Sequence, residues 1–289
     1  MQARAARRWI TVALCSAAAA LMLGVQPAPS AGADPAAGRI IDAGGVRQWI
    51  ACAGAGRPTA VVITGLGSSA QAWSAVAEAF TAVTRTCFYD RPGLGASPAP
   101  ASSGRVTDAR MQARQLHALL AAAGEPGPYA VVGHSYGGLI ARAFAHGYPG
   151  DVAALMLVEG VDSAGGSSRY WTEAGQRIDM RRSRAAAGGG PDLGARPLVV
   201  IAASQPDRDH LGGPAYGESA AAIRTWKAQQ RAAAGLSRNG LFVEARSGHV
   251  VQQDNPASVT AGLRALVAAV RDSDRLSCSA VWAAVQARC

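Results

Sequence analysis

The chain has 289 residues and a mass of 29.4 kDa, and with 49% hydrophobic and only 16% charged residues it has enough apolar sequence to bury a large core. Its formal charge is +9, but the basic residues are scattered and not interleaved with aromatics, which argues against a nucleic-acid partner. The five cysteines form no Cys-x-x-Cys pair or Cys/His cluster, which argues against a zinc site.

The first 33 residues read as a targeting segment. Arg4, Arg7 and Arg8 form a basic start, Trp9 to Val25 is apolar, and Ala31-Gly32-Ala33 is an A-x-A-like cleavage site. An uncleaved anchor is the alternative for an apolar run of this length. Arg7-Arg8 resembles a twin-arginine signal, but the residues that follow match it poorly, and Cys15 lacks the small residues that precede a lipidated cysteine. Removing the segment takes away three arginines and no acids, leaving a charge of +6 and four cysteines, Cys52, Cys87, Cys278 and Cys289. An even number suits an oxidising compartment, and the expected location is outside the cell or at its envelope, with no stable membrane insertion after cleavage.

Residues 34–289 read as one domain. After a Pro/Ala/Gly-rich leader to residue 38, Arg39 to Asp42 and Val46 to Cys52 form a hairpin around Gly44-Gly45. Runs of β-formers then alternate with Ala-rich helical stretches. Ala60 to Thr64, Thr86 to Asp90, Tyr129 to Gly133 and Ala153 to Glu159 predict strands, and Ser69 to Ala82, Val106 to Ala123 and Gly137 to His146 predict helices. A polar, glycine-interrupted region from Gly160 to Arg196 predicts a short cap carrying short helices. Strand Leu198 to Ala203, a helix over 218–234, strand Leu241 to Ala245 and helix Ala257 to Arg271 follow, and Ser279 to Arg288 reads as a last short helix. This alternation predicts a mostly parallel sheet with helices on both faces.

Tyr129 to Pro149, YAVVGHSYGGLIARAFAHGYP, runs from strand formers straight into helix-forming sequence through Gly133-His134-Ser135-Tyr136-Gly137. Gly-x-Ser-x-Gly between strand and helix is a nucleophile elbow: the tight turn excludes side chains at Gly133 and Gly137 and lifts the serine hydroxyl clear of the sheet. The free N–H groups at the start of the next helix favour an anionic intermediate. Serine needs a base. Of five histidines, His134 is inside the elbow, His117 and His146 sit on helices and His210 lies in an irregular loop. His249 follows Leu241 to Ala245 in a loop at the carboxyl end of a strand, where open α/β sheets carry working residues.

TGLGSSAQAW at 64–73, YDRPGLGAS at 89–97, GHSYGGLIAR at 133–142, LMLVEGVD at 155–162 and SGHVVQQDNP at 247–256 together resemble the α/β-hydrolase superfamily, and specifically its secreted actinobacterial-type serine hydrolases. The resemblance implies an eight-stranded, mostly parallel sheet with a short cap after the sixth strand. It implies an oxyanion hole made of the Leu66 and Tyr136 N–H groups, although Thr64 stands where the family often has histidine. Asp90 and Arg91 would fix a loop beside the site, without chemistry of their own. The resemblance leaves the acid open between Glu159, at the end of one strand, and Asp207, after the next, with Asp162 and Asp209 as further candidates; Glu159 is in register. The neighbouring antiparallel strands of that fold imply Cys52–Cys87, and Cys278–Cys289 by remainder.

The implied activity is hydrolysis of an ester-type bond in a small or lipid-like substrate through an acyl-enzyme on Ser135, with His249 as base and no cofactor or metal. A serine at the elbow argues against the epoxide and haloalkane branches, which need a carboxylate nucleophile. The alternatives are a cofactor-free lyase or haloperoxidase on the same residues, and a catalytically silent binding protein. The oligomeric state is not legible.

Overall fold

The computed structural model describes residues 38–100, 104–160, 169–188, 193–204 and 220–289. The expected targeting segment, and Asp162, Asp207, Asp209 and His210, lie outside the described residues. No helix among the described residues is long and apolar enough to cross a membrane.

The chain opens with a hairpin, β1 (Arg39–Asp42) and β2 (Arg47–Ala53), as its glycine turn predicts. Then come β3 (Thr59–Ile63), α1 (Ser74–Val83), β4 (Thr86–Tyr89), β5 (Val106–Thr107), α2 (Ala109–Ala123), β6 (Tyr129–His134), α3 (Tyr136–Gly147) and β7 (Val152–Val158). The segment read as a cap contributes β8 (Tyr170–Glu173), β9 (Gln176–Asp179) and α4 (Met180–Ala187). The chain ends with β10 (Leu198–Ala203), α5 (Ala220–Ala234), β11 (Gly240–Ala245), α6 (Val251–Asp254), α7 (Pro256–Asp272), α8 (Ala280–Ala284) and β12 (Ala287–Arg288).

Among the described residues the main sheet has nine strands, in the order β1-β2-β4-β3-β6-β7-β10-β11-β12, so the expected eight is corrected by one. Its six central strands, β4 to β11 in that order, are parallel. The edges are antiparallel: β1 and β2 on one side, β12 on the other. The ninth strand is β12, whose two residues pair with Glu244 and Ala245, so the C-terminal stretch read as helix is a short helix followed by an edge strand. Cys52 and Cys87 are directly opposed on β2 and β4 and are disulfide-bonded, and a second disulfide joins Cys278 to Cys289.

Alternate side chains of each strand enter opposite cores, as the pleat requires. Val61, Ile63, Val131, Leu155, Leu157 and Val200 face one core with Leu116, Leu120, Leu139 and Phe144 of α2 and α3. Val62, Val132, Met156, Val158, Ile201 and Val243 face the other with Phe80, Val259, Leu263 and Leu266 of α1 and α7. Strands buried on both faces explain the near-continuous apolar runs in the sequence.

The cap is more strand-like than its composition suggests. β8 and β9 form a hairpin, and β9 pairs in parallel with β5 to make a separate three-stranded sheet, order β5-β9-β8. The helix expected from Val106 therefore begins at Ala109, where Asp108 caps it by accepting from the Met111 N–H at 2.9 Å.

Candidate active site

Ser135 stands between β6 and α3 with φ 52° and ψ −123°, a left-handed backbone rare for a side chain larger than glycine. Close packing holds it there. A Cβ on Gly137 would lie 2.3 Å from the Ile63 carbonyl oxygen, and one on Gly133 would lie 2.5 Å from that of Gly137, so neither position admits a side chain. The Ser135 N–H donates to the Val158 carbonyl of β7 at 3.0 Å, which ties the turn to the neighbouring strand.

Ser135 Oγ is 3.0 Å from His249 Nε2, and His249 Nδ1 is 3.2 Å from Glu159 Oε2. The three groups come from the ends of β6, β7 and the loop after β11, and all are buried. A carboxylate accepts hydrogen bonds, so the proton on the imidazole belongs at Nδ1, which leaves the Nε2 lone pair facing the serine hydroxyl. That arrangement can take a proton from Oγ as the oxygen attacks an electrophile.

Glu159 is fully buried and has its own donors. Oε1 accepts from the Ala203 N–H at 2.6 Å and from Trp226 Nε1–H at 3.4 Å. With His249, three donors converge on one carboxyl group, which offsets the cost of burying it. The end of β10 supplies a backbone donor to Glu159. Among the described residues, Glu159 is the carboxyl group that touches His249.

His134 does not join this line but braces it. Its Nε2–H donates to the His249 carbonyl at 2.9 Å, and the two rings are 4.9 Å apart between centroids. A carbonyl only accepts, so the His134 proton sits on Nε2. Burial first, then the neighbouring His249, lowers the His134 pKa to about 3, so this imidazole stays neutral. The loop carrying His249 is also held by Asp254 of α6, which accepts from the Gly248 N–H at 2.8 Å.

The turn after β3, Thr64 to Gly67, lies against the serine: a Cβ on Gly65 would be 3.3 Å from Ser135 Cβ. Leu66 and Tyr136, expected as oxyanion donors, thus belong to backbone segments that flank Ser135. No described group accepts a hydrogen bond from either N–H.

Asp90 and Arg91 behave as their motif predicts. Asp90 accepts from the Ala70 and Ala96 N–H groups at 2.7 and 2.9 Å and so closes the loop. Arg91 is buried and paired with Glu173 of the cap hairpin, 2.6 Å away. Glu173 belongs to no sequence motif: an acid inside a polar stretch gives no signal until the fold buries it. Burial works against the Arg91 charge, but the field and hydrogen bonds of Glu173 outweigh it and hold the guanidinium above its usual pKa.

Among the described residues, Cys52, Cys87 and Glu125 bring metal-ligating atom types together, but both sulfurs are spent in the disulfide.

A family model described as alpha/beta hydrolase fold matches residues 58–265, a span that contains Ser135, Glu159 and His249. A curated relative named "Putative carbamate hydrolase RutD" from Cronobacter turicensis is 35% identical over 124 residues, 43% of this chain and 45% of the relative. The chain thus spans about half the length of the curated relatives it matches, or less. Among solved structures, the haloalkane dehalogenase DatA from Agrobacterium tumefaciens superposes with a TM-score of 0.60 at 16% identity, covering 83% of this chain and 98% of that one. Est1E from Butyrivibrio proteoclasticus, solved with ferulic acid, superposes with a TM-score of 0.55 at 15% identity, covering 78% and 96%. At such identities the two structures speak to the fold alone. With the family match running from β3 into α7 through every element that carries the site, the chain belongs to the alpha/beta hydrolase fold family.

Proposed function

We propose that the protein is a serine hydrolase that cleaves an ester-type acyl bond through an acyl-enzyme on Ser135. The observation that carries this reading is the hydrogen-bonded line from Ser135 Oγ through His249 to Glu159, with spacings of 3.0 and 3.2 Å. Oγ attacks the acyl carbon and its proton passes to His249 Nε2. Glu159 holds the Nδ1–H and balances the imidazolium that forms. The tetrahedral oxyanion is taken by the Leu66 and Tyr136 N–H groups. As the intermediate collapses, Nε2–H protonates the leaving alcohol. Water then repeats the sequence and frees the acid.

Mass spectrometry of the protein after treatment with a fluorophosphonate, together with a p-nitrophenyl ester series of increasing acyl length, tests the reading. A single adduct on Ser135 and a burst of p-nitrophenol are expected. A silent binding protein gives no adduct, and a burst of acyl-enzyme favours the hydrolase over a lyase or haloperoxidase.

The relatives named as carbamate hydrolases favour a second reading of the substrate, in which the acyl group is a carbamoyl. The same residues serve, and p-nitrophenyl carbamates added to the series compare the two classes directly. Export is part of the proposal: the leader composition and two disulfides support it. Amino-terminal sequencing of protein recovered from the medium should begin after Ala33.

A further inference from the structure

The Arg91 guanidinium has five N–H donors and makes five hydrogen bonds. Nε and Nη2 reach the two oxygens of Glu173 at 2.9 and 2.6 Å. Nη1 reaches the Thr64 carbonyl at 2.6 Å and Thr64 Oγ1 at 3.0 Å, and Nη2 reaches the Gly65 carbonyl at 2.6 Å. Glu173 Oε1 in turn accepts from the Gly67 N–H at 2.8 Å. A residue of the cap hairpin and a residue of the loop after β4 thus hold three consecutive peptide groups of the turn after β3.

The peptide between Gly65 and Leu66 is trans, so its C=O and N–H point to opposite sides of the backbone. With the Gly65 carbonyl drawn onto Arg91, the Leu66 N–H is turned away from the guanidinium. Rotating that peptide would strip a buried cation of an acceptor, a cost the unclamped turn would not carry. Arg91 also lies 5.7 Å from the Tyr136 ring, and Trp171 of β8 meets that ring edge-on with centroids 6.3 Å apart, so the cap touches the residue of one donor and, through Gly67, the turn that carries the other.

We propose that Glu173 is a positioning residue: with Arg91 it sets the direction of the Leu66 N–H, so the seating of the cap hairpin β8–β9 determines how well the oxyanion is held. The inference rests on the serine-hydrolase reading. It assigns the cap a part in turnover and not only in covering substrate.

The test compares the full chain with Glu173→Gln, Glu173→Leu and the double variant Arg91→Met/Glu173→Leu, which removes both charges and leaves neither ion buried alone. Active sites are counted by the p-nitrophenol burst, and kcat per counted site and KM are measured with p-nitrophenyl acetate. The expected result is a fall in kcat per site of roughly 10- to 100-fold for Glu173→Leu and the double variant, smaller for Glu173→Gln, which keeps an acceptor for Gly67, with KM within about threefold. Wild-type kcat per site in the double variant, with only the burst amplitude or melting temperature reduced, overturns the proposal, because a merely structural pair acts on the number of folded sites. A wild-type chain that gives neither burst nor adduct overturns the serine-hydrolase reading and this inference with it. Normal wild-type turnover with unaffected variants removes this inference alone.

Discussion

Ser135 and Glu159 directly follow adjacent parallel strands in register, and both adopt left-handed backbone, with φ 52° and 49°. His134 pairs with Val158, and the next step along each strand is the serine on one side and the acid on the other. The imidazole of His249 bridges both side chains from the loop beyond β11. Two neighbouring strands therefore each carry strain of about 1–3 kcal/mol at the position where chemistry is proposed.

That strain is measurable. Ser135→Ala and Ser135→Gly both lose ester turnover by at least about 10³-fold, but glycine tolerates the backbone and alanine does not. The glycine variant should be the more stable by about 1 kcal/mol, some 2–4 °C in melting temperature for a chain of this size. Equal melting temperatures would mean that the elbow is unstrained.

Glu159→Gln keeps the shape of the carboxyl group but no longer balances an imidazolium. Its kcat with p-nitrophenyl butyrate should fall by roughly 10²–10⁴-fold, with fluorophosphonate labelling of Ser135 slowed in step. If activity survives and the Asp207→Asn variant loses it instead, the acid lies on the loop after β10.

His134 carries a signed pH dependence. Its pKa is about 3 in the folded chain against 6.5 as the ordinary value, so below pH 6.5 the unfolded chain binds a proton that the folded one does not. Stability from this group is complete above pH 6.5 and declines as pH falls toward 3, by up to about 1.4 kcal/mol per pH unit. Urea unfolding of the wild type and His134→Gln between pH 7 and 4 should show a shallower decline in the variant. Parallel curves would assign the acid sensitivity elsewhere.

Gly137→Ala tests the elbow's packing. The added methyl would meet the Ile63 carbonyl oxygen at 2.3 Å, and backbone cannot swing aside as a side chain can. Chemical denaturation should report a loss of about 1–3 kcal/mol or more, with activity lost in the folded fraction. Gly147→Ala, at the far end of the same helix and in open space, is the control.

The Gly-x-Ser-x-Gly turn, its strand and helix, and the loop bearing His249 were legible because each depends on residues close in sequence: β-formers, then a turn too tight for side chains, then helix formers. The alternating apolar runs likewise predict parallel strands covered on both faces. The cap left no such trace: its glycine-broken polar sequence has no strand period, and β8 and β9 exist because they pair with each other and β9 with β5. The last residues likewise carry no strand signal, since β12 is a strand only through its hydrogen bonds to β11.

What the order of residues determined by itself is the elbow, the alternation of buried strands and helices, and the place of His249 after a strand's carboxyl end, all consequences of backbone sterics and hydrophobic period. Only the tertiary structure brought Glu159, among the described carboxyl groups, to His249, and set Arg91 and Glu173 as a clamp on the turn beside Ser135. Those are matters of distance between chain segments 82 and 90 residues apart, and a hydrogen bond of 3 Å has no signature in sequence until the fold brings its ends together.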